Sequence, residues 1–188
     1  MKYINLFFIV ICTYTILSCT TKDTYKKKSA ENQNNRNMGT RDKKNNGYDS
    51  IILKIDSAIQ NSGTWDALFA SKEFIEIYEN SHRYVDSAIW FISNKSYSDH
   101  QKTVCLYSFQ SSDLKDYIQI LEVCKTLFLK GRISELLFSR SIDPNFGKRK
   151  IIIENNKNGI VRALLEEVKN SDKSSEDLKN TISRVLSE

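Results

Sequence analysis

Apolar residues recur at steps of three and four positions through most of 48–188, the spacing that places them on one face of an α-helix. The clearest segment is 113–130, with an apolar stripe of Leu114, Tyr117, Ile118, Leu121 and Cys124, closed by Leu127 and Phe128. Gly131 follows it, a residue typical of helix C-termini. The pattern predicts a long helix over 113–130.

Shorter segments with the same spacing lie within 49–60, 65–78, 82–91, 98–109, 133–138, 160–168 and 178–186. Polar residues that favour helix starts precede several of them, so we predict N-caps at Thr64, Ser98, Ser112 and Ser174-Ser175. The run 150–154 contains three isoleucines in a row, which a strand would also accept. No second strand is evident for it to pair with, so we predict a helix there.

Glycine and proline are scarce in 48–188, where only Gly63, Gly131, Gly147, Gly159 and Pro144 occur. An all-β domain needs turn residues every 8–12 positions, so this composition favours an all-α fold. We expect about eight helices arranged in antiparallel hairpins. Such an array resembles the α-α superhelices of the HEAT kind. No internal period is evident, and an irregular helical bundle is an equal alternative.

The first nineteen residues have the layout of an export signal, with Lys2 before an apolar core at 6–11. The apolar stretch 3–17 is shorter than the roughly 20 residues that span a bilayer. The residues Ile16-Leu17-Ser18-Cys19 resemble the lipobox of bacterial lipoproteins. The resemblance implies a signal peptide at 1–18, lipidation at Cys19, and a protein anchored by lipid, such as palmitate, to a membrane of the bacterial cell envelope.

Residues 19–47 are predicted to be a lipidated cysteine followed by a disordered tether rich in lysine and asparagine. Eight basic and three acidic residues lie in 20–47, so this segment carries a net charge of +5, equal to the net charge of the whole chain. The domain 48–188 is then close to neutral. Because a nucleic-acid reader keeps its basic residues on the fold, the charge distribution argues against nucleic-acid binding.

Two cysteines, Cys105 and Cys124, belong to the predicted domain. If Ser111-Ser112 forms the turn of a helical hairpin, the two residues are offset by roughly 9 Å along the helix axes, which is too far for a disulfide. Both also lie among large apolar residues. We predict two buried free thiols.

Motifs that carry catalysis, metal binding or cofactor binding are not evident. His82 and His100 lie outside any zinc-type spacing. The sequence from Ser112 to Lys115 matches the Ser-x-x-Lys pattern of penicillin-recognising enzymes, but the other two elements of that family are missing. We therefore predict no catalytic residue, no metal and no cofactor.

Two features are candidates for contacts with a partner. One is the basic cluster Lys148, Arg149 and Lys150. The other is the aromatic content of 65–117, of which an exposed subset would form a binding surface while the rest fills the core. The sequence favours a membrane-anchored lipoprotein with a non-catalytic protein-interaction domain. Alternatives are an immunity protein against a periplasmic toxin, and a carrier or enzyme with an unrecognised site.

Overall fold

Ten α-helices make up the regular structure of the residues that the computed structural model describes, 47–145, 147, 149–156 and 159–187. They are α1 (Tyr48–Ser62), α2 (Asp66–Ala70), α3 (Lys72–Glu79), α4 (Ser81–Ser93), α5 (Asp99–Ser108), α6 (Leu114–Leu129), α7 (Glu135–Ser141), α8 (Arg149–Asn155), α9 (Ile160–Lys169) and α10 (Glu176–Ser187). The described part contains no strand. The all-α fold is thus confirmed, and the isoleucine run at 151–153 is helical.

The helical pattern over 65–78, which allows a helix either to continue or to restart at Ser71, forms two helices, α2 and α3. Ser71 separates them because its backbone is extended, with φ −78° and ψ 133°. Its hydroxyl accepts a hydrogen bond from the amide of Phe74 at 3.1 Å and so caps α3. This break makes α2 only five residues long, with Leu68 as its buried residue.

The helices pack both with chain neighbours and across the chain. Helix α4 lies against α6, α1 against α2 and α5, and α6 against α9 and α7. Helix α6 therefore packs mainly on α4 rather than on α5, the helix before it. Phe91, Phe138, Ile52, Leu121 and Leu165 are fully buried and come from five different helices, so the core is shared by the whole unit.

The ends of α6 are set by local chemistry at both termini. Asp113, rather than the predicted Ser112, is its N-cap: the carboxylate accepts a hydrogen bond from the amide of Asp116 at 2.9 Å. The Ser112 hydroxyl is buried and donates instead to the carbonyl of Phe109. At the other end, Gly131 has a φ of +65° and the amide of Arg132 bonds to the carbonyl of Leu127, which closes the helix in a Schellman motif.

The predicted signal peptide, the lipidation site Cys19 and the predicted tether to residue 46 lie outside the described residues. Within the described ranges, no helix is long and apolar enough to cross a membrane.

Candidate interaction surface

A row of four aromatic side chains runs along α2 and α3, formed by Trp65, Phe69, Phe74 and Tyr78. Trp65 and Phe69 are four positions apart in helical geometry and so share one side of α2. The rings of Phe69 and Phe74 are 5.4 Å apart, and those of Phe74 and Tyr78 are 5.6 Å apart. These separations are typical of packed aromatic pairs, so Phe69, Phe74 and Tyr78 form one packed group, and Trp65 lies one helical turn before Phe69.

Three members of the aromatic row are open to solvent. Trp65 is 39% exposed, Phe69 50% and Tyr78 42%, whereas Phe74 is buried beneath them. They are the only exposed large aromatic side chains in the part of the chain that the structure describes, and Ile75 beside them is exposed as well. Single exposed apolar residues are common on proteins, but a contiguous group such as this one is typical of an interaction site.

The aromatic row is bordered by acidic side chains. Residues 65–79 contain Asp66, Glu73, Glu76 and Glu79 but a single lysine, Lys72. Glu73 lies 3.8 Å from Lys54 of α1, and Glu76 accepts a hydrogen bond from the hydroxyl of Tyr84. The surface therefore combines an apolar centre with a mostly negative border, the arrangement of a protein-binding patch with a polar rim.

Trp65 is held in place from beneath by two rings of α5. Its indole packs at 5.2 Å against Tyr107 and at 5.4 Å against the imidazole of His100. Tyr107 is buried and lies 5.9 Å from the guanidinium of Arg149. Burial raises the pKa of the Tyr107 hydroxyl, so the ring is neutral at physiological pH. Trp65 thus projects its outer face to solvent from a fixed support.

A buried carboxylate lies beside the imidazole beneath Trp65. Asp56 of α1 is 4% exposed, and its Oδ1 lies 3.0 Å from Nε2 of His100. Its other oxygen accepts a hydrogen bond from Gln60 at 3.0 Å. His100 in turn packs against Trp65, so the carboxylate, the imidazole and the indole form one connected group.

The basic cluster of the sequence does not form one exposed surface in the described residues. Arg149 is 3% exposed, and its guanidinium donates to the carbonyl oxygens of Arg140, at 2.6 Å, and of Leu106. Lys150 is exposed and lies 3.9 Å from Glu154 on the same helix. Lys148 falls outside the described residues. Arg149 therefore serves the fold, because it joins α5, α7 and α8.

Both cysteines of the domain are free and fully buried, which confirms the prediction made for them. Burial raises the pKa of Cys105 and of Cys124 to about 12. Because the thiolate is the reactive form, neither thiol is a nucleophile at neutral pH.

The histidines are not part of a metal site in the described residues: no group of three or more His, Cys, Asp and Glu side chains there is placed to hold an ion. His82 is exposed on α4, and His100 is half exposed.

Sequence reasoning named all four residues of the aromatic row, but only within a longer set of aromatic positions. The signal that singles them out is the break at Ser71, which leaves four aromatic side chains on two short helices. A polar groove between α7 and α10 was not foreseen at all. Its lining residues are about forty positions apart in the chain, and no local pattern joins them.

Compared with protein-family models, with curated proteins and with solved structures, the chain matches none.

Proposed function

We propose that this protein is a lipoprotein of the bacterial cell envelope whose helical domain binds another protein and catalyses no reaction. The observation that carries the binding role is the aromatic row, in which Trp65, Phe69 and Tyr78 are exposed and the rings of Phe69 and Tyr78 both pack on Phe74. Tryptophan and tyrosine dominate the binding energy of protein interfaces because they bury a large area with few rotatable bonds. The anchor rests on the lipobox resemblance at 16–19.

The border of the aromatic row indicates the chemistry of the partner. Glu73 is paired with Lys54, so the border carries four acidic residues against two lysines, and this negative excess favours a partner segment that carries lysine or arginine beside apolar side chains. Complementary charge mainly accelerates association, and salt screens it over about 8–10 Å. We therefore expect the association rate to fall as the salt concentration rises, with a smaller change in the dissociation rate.

A photo-crosslinking amino acid placed at Phe69 tests the binding role in cells. A matched position is Ile151 on α8, whose side chain is 58% exposed but lies outside the aromatic row. We expect one protein species to be cross-linked from position 69 and not from position 151. Cross-linking of the same species from both positions would show that the row is not the contact.

Affinity measurements with that purified partner give the second test. Phe69→Ala and Tyr78→Ala each remove a large exposed ring, so we expect each to weaken binding about tenfold or more. Ile151→Ala is the control and should change the affinity less than twofold. Equal effects at all three positions would contradict the assignment.

Incorporation of labelled palmitate tests the anchor separately. The wild-type chain and a Cys12→Ala variant should both incorporate the label, whereas Cys19→Ala should not. Label that persists in Cys19→Ala would overturn lipidation at this residue and leave the binding proposal untouched.

A further inference from the structure

A groove of about 440 Å³ opens between α7, the loop after it and α10. Its walls include Leu136, Ser139, Arg140, Pro144, Thr181 and Arg184. The volume lies within the range of sites that bind small molecules. Glu135 at the start of α7 accepts hydrogen bonds from the amide and the hydroxyl of Ser175, just before α10, so the two helices are fixed to each other at their first turns.

The polar side chains of the groove are mostly hydrogen-bond donors. The guanidinium of Arg184 has no carboxylate within ion-pair distance among the described residues. The hydroxyls of Ser139 and Thr181 likewise have no hydrogen-bond partner in the described part of the chain. Since arginine and hydroxyl groups together suit a planar oxyanion, these three residues point to a carboxylate.

The carboxylate that lines the groove, Asp143, already has polar partners. Asp143 accepts two hydrogen bonds from Asn145, each 3.0 Å long, and its second oxygen lies 3.7 Å from Arg140. Arg140 also hydrogen-bonds to the hydroxyl of Tyr107. Asp143 therefore balances Arg140 and leaves the charge of Arg184 without a counterpart in the described groove.

The remaining wall of the groove is apolar. Leu136 is 65% exposed, the largest exposure of any large apolar side chain that the structure describes, and Pro144 and the buried Ile142 also line the groove. An exposed leucine next to unpaired donors favours a ligand that has an apolar body and an anionic end.

We propose that this groove binds a carboxylate attached to a small apolar group, with Arg184, Ser139 and Thr181 holding the carboxylate and Leu136 covering the apolar part. The ligand would be either a free amphiphilic acid or the C-terminal residue of a peptide. The assignment does not depend on the aromatic row.

Titrations of the ¹⁵N-labelled full chain, followed by NMR, test the proposal with three probes. N-acetyl-leucine carries the carboxylate and the apolar group, N-acetyl-leucinamide is its neutral counterpart, and hexanoate lacks the peptide amide. We expect N-acetyl-leucine to cause saturable shifts at the amides of Ser139 and Thr181, and the neutral amide to cause none. Hexanoate binding would indicate a free acid as the ligand, and its failure beside N-acetyl-leucine binding would indicate a peptide C-terminus.

Two variants locate the interaction. Arg184→Gln removes the charge of an exposed side chain while leaving it polar, and should weaken binding of N-acetyl-leucine about tenfold or more. Thr181→Val removes one hydroxyl and should weaken it about threefold to tenfold. Arg83→Gln changes an exposed arginine on α4 and should have no effect. Equal binding of the acid and the amide, or unchanged affinity in Arg184→Gln, would overturn the proposal, and so would displacement of N-acetyl-leucine by equimolar inorganic phosphate.

Discussion

The hydroxyl of Tyr48, in the first turn of α1, lies 3.3 Å from the sulfur of Cys105 in the middle of α5. Both side chains are buried, and burial raises the pKa of each group. This contact joins two helices that are more than fifty residues apart in the chain. It also makes the stability of the domain sensitive to alkaline pH.

Raising the pH from 8 to 10 should destabilise the folded domain through its two thiols. Their pKa in the folded state is about 12, against an ordinary value of 9.0, so the unfolded chain loses these protons first. The stability that the thiols contribute is present below pH 9 and is lost as the pH rises towards 12. By pH 10 each thiol should cost about 1.4 kcal/mol of unfolding free energy.

Urea unfolding at pH 8 and pH 10 measures this loss. A variant with Cys105→Ala and Cys124→Ala should lose less stability between the two pH values than the wild type, by about 2–3 kcal/mol. The same pH dependence in both proteins would show that other groups are responsible.

Any side chain at position 147 should destabilise the folded domain. Gly147 has a φ of +57°, and a Cβ there would lie 2.4 Å from the carbonyl oxygen of Gln110. Gly131 has a similar φ of +65° but open space around it. We expect Gly131→Ala to lose about 1–2 kcal/mol through backbone strain, and Gly147→Ala to lose about 1–3 kcal/mol more through the clash. Thermal or urea unfolding of the two variants makes the comparison, and equal losses would mean that Gln110 moves away freely.

Arg149 should be among the most sensitive positions of the domain. Arg149→Ala removes the donor to the carbonyl oxygens of Leu106 and Arg140, and should cost about 3 kcal/mol or more. Arg149→Lys should recover only part of this loss, since an ammonium group lacks the planar fork that reaches two acceptors. Exposed Arg83→Ala should stay within about 0.5 kcal/mol of the wild type. Urea unfolding distinguishes these cases, and a loss below about 1 kcal/mol in Arg149→Ala would contradict the structural role.

Hydrogen exchange at the Asp116 amide tests which residue is the N-cap of α6. Asp113→Ala should speed hydrogen exchange of the Asp116 amide and cost about 1 kcal/mol, because that amide loses its acceptor. Ser112→Ala should leave exchange at Asp116 unchanged, since the Ser112 hydroxyl bonds to Phe109. Faster exchange in Ser112→Ala alone would restore Ser112 as the cap.

Much of the helical structure follows from the sequence because it depends on spacing within one or two turns. The stripe from Leu114 to Cys124 determines α6, and Gly131 determines its end. The large apolar residues beside Cys105 and Cys124 in the sequence predicted that both thiols are buried, and they are. Only the folded backbone shows that Asp113 rather than Ser112 is the N-cap, because both of these adjacent polar residues suit that position.

The tertiary structure decided which side chains face solvent and which distant residues meet. Phe74 and Phe69 have the same chemistry, yet one is buried and the other half exposed, because they lie on different helices, on either side of the break at Ser71. The basic cluster in the sequence indicated that Arg149 lies on the surface, but its long side chain reaches two carbonyl oxygens inside the domain. The groove donors Ser139 and Arg184 converge only when α7 and α10 pack. Spacing along one helix fixes local structure, whereas burial and convergence depend on contacts between helices that no local pattern records.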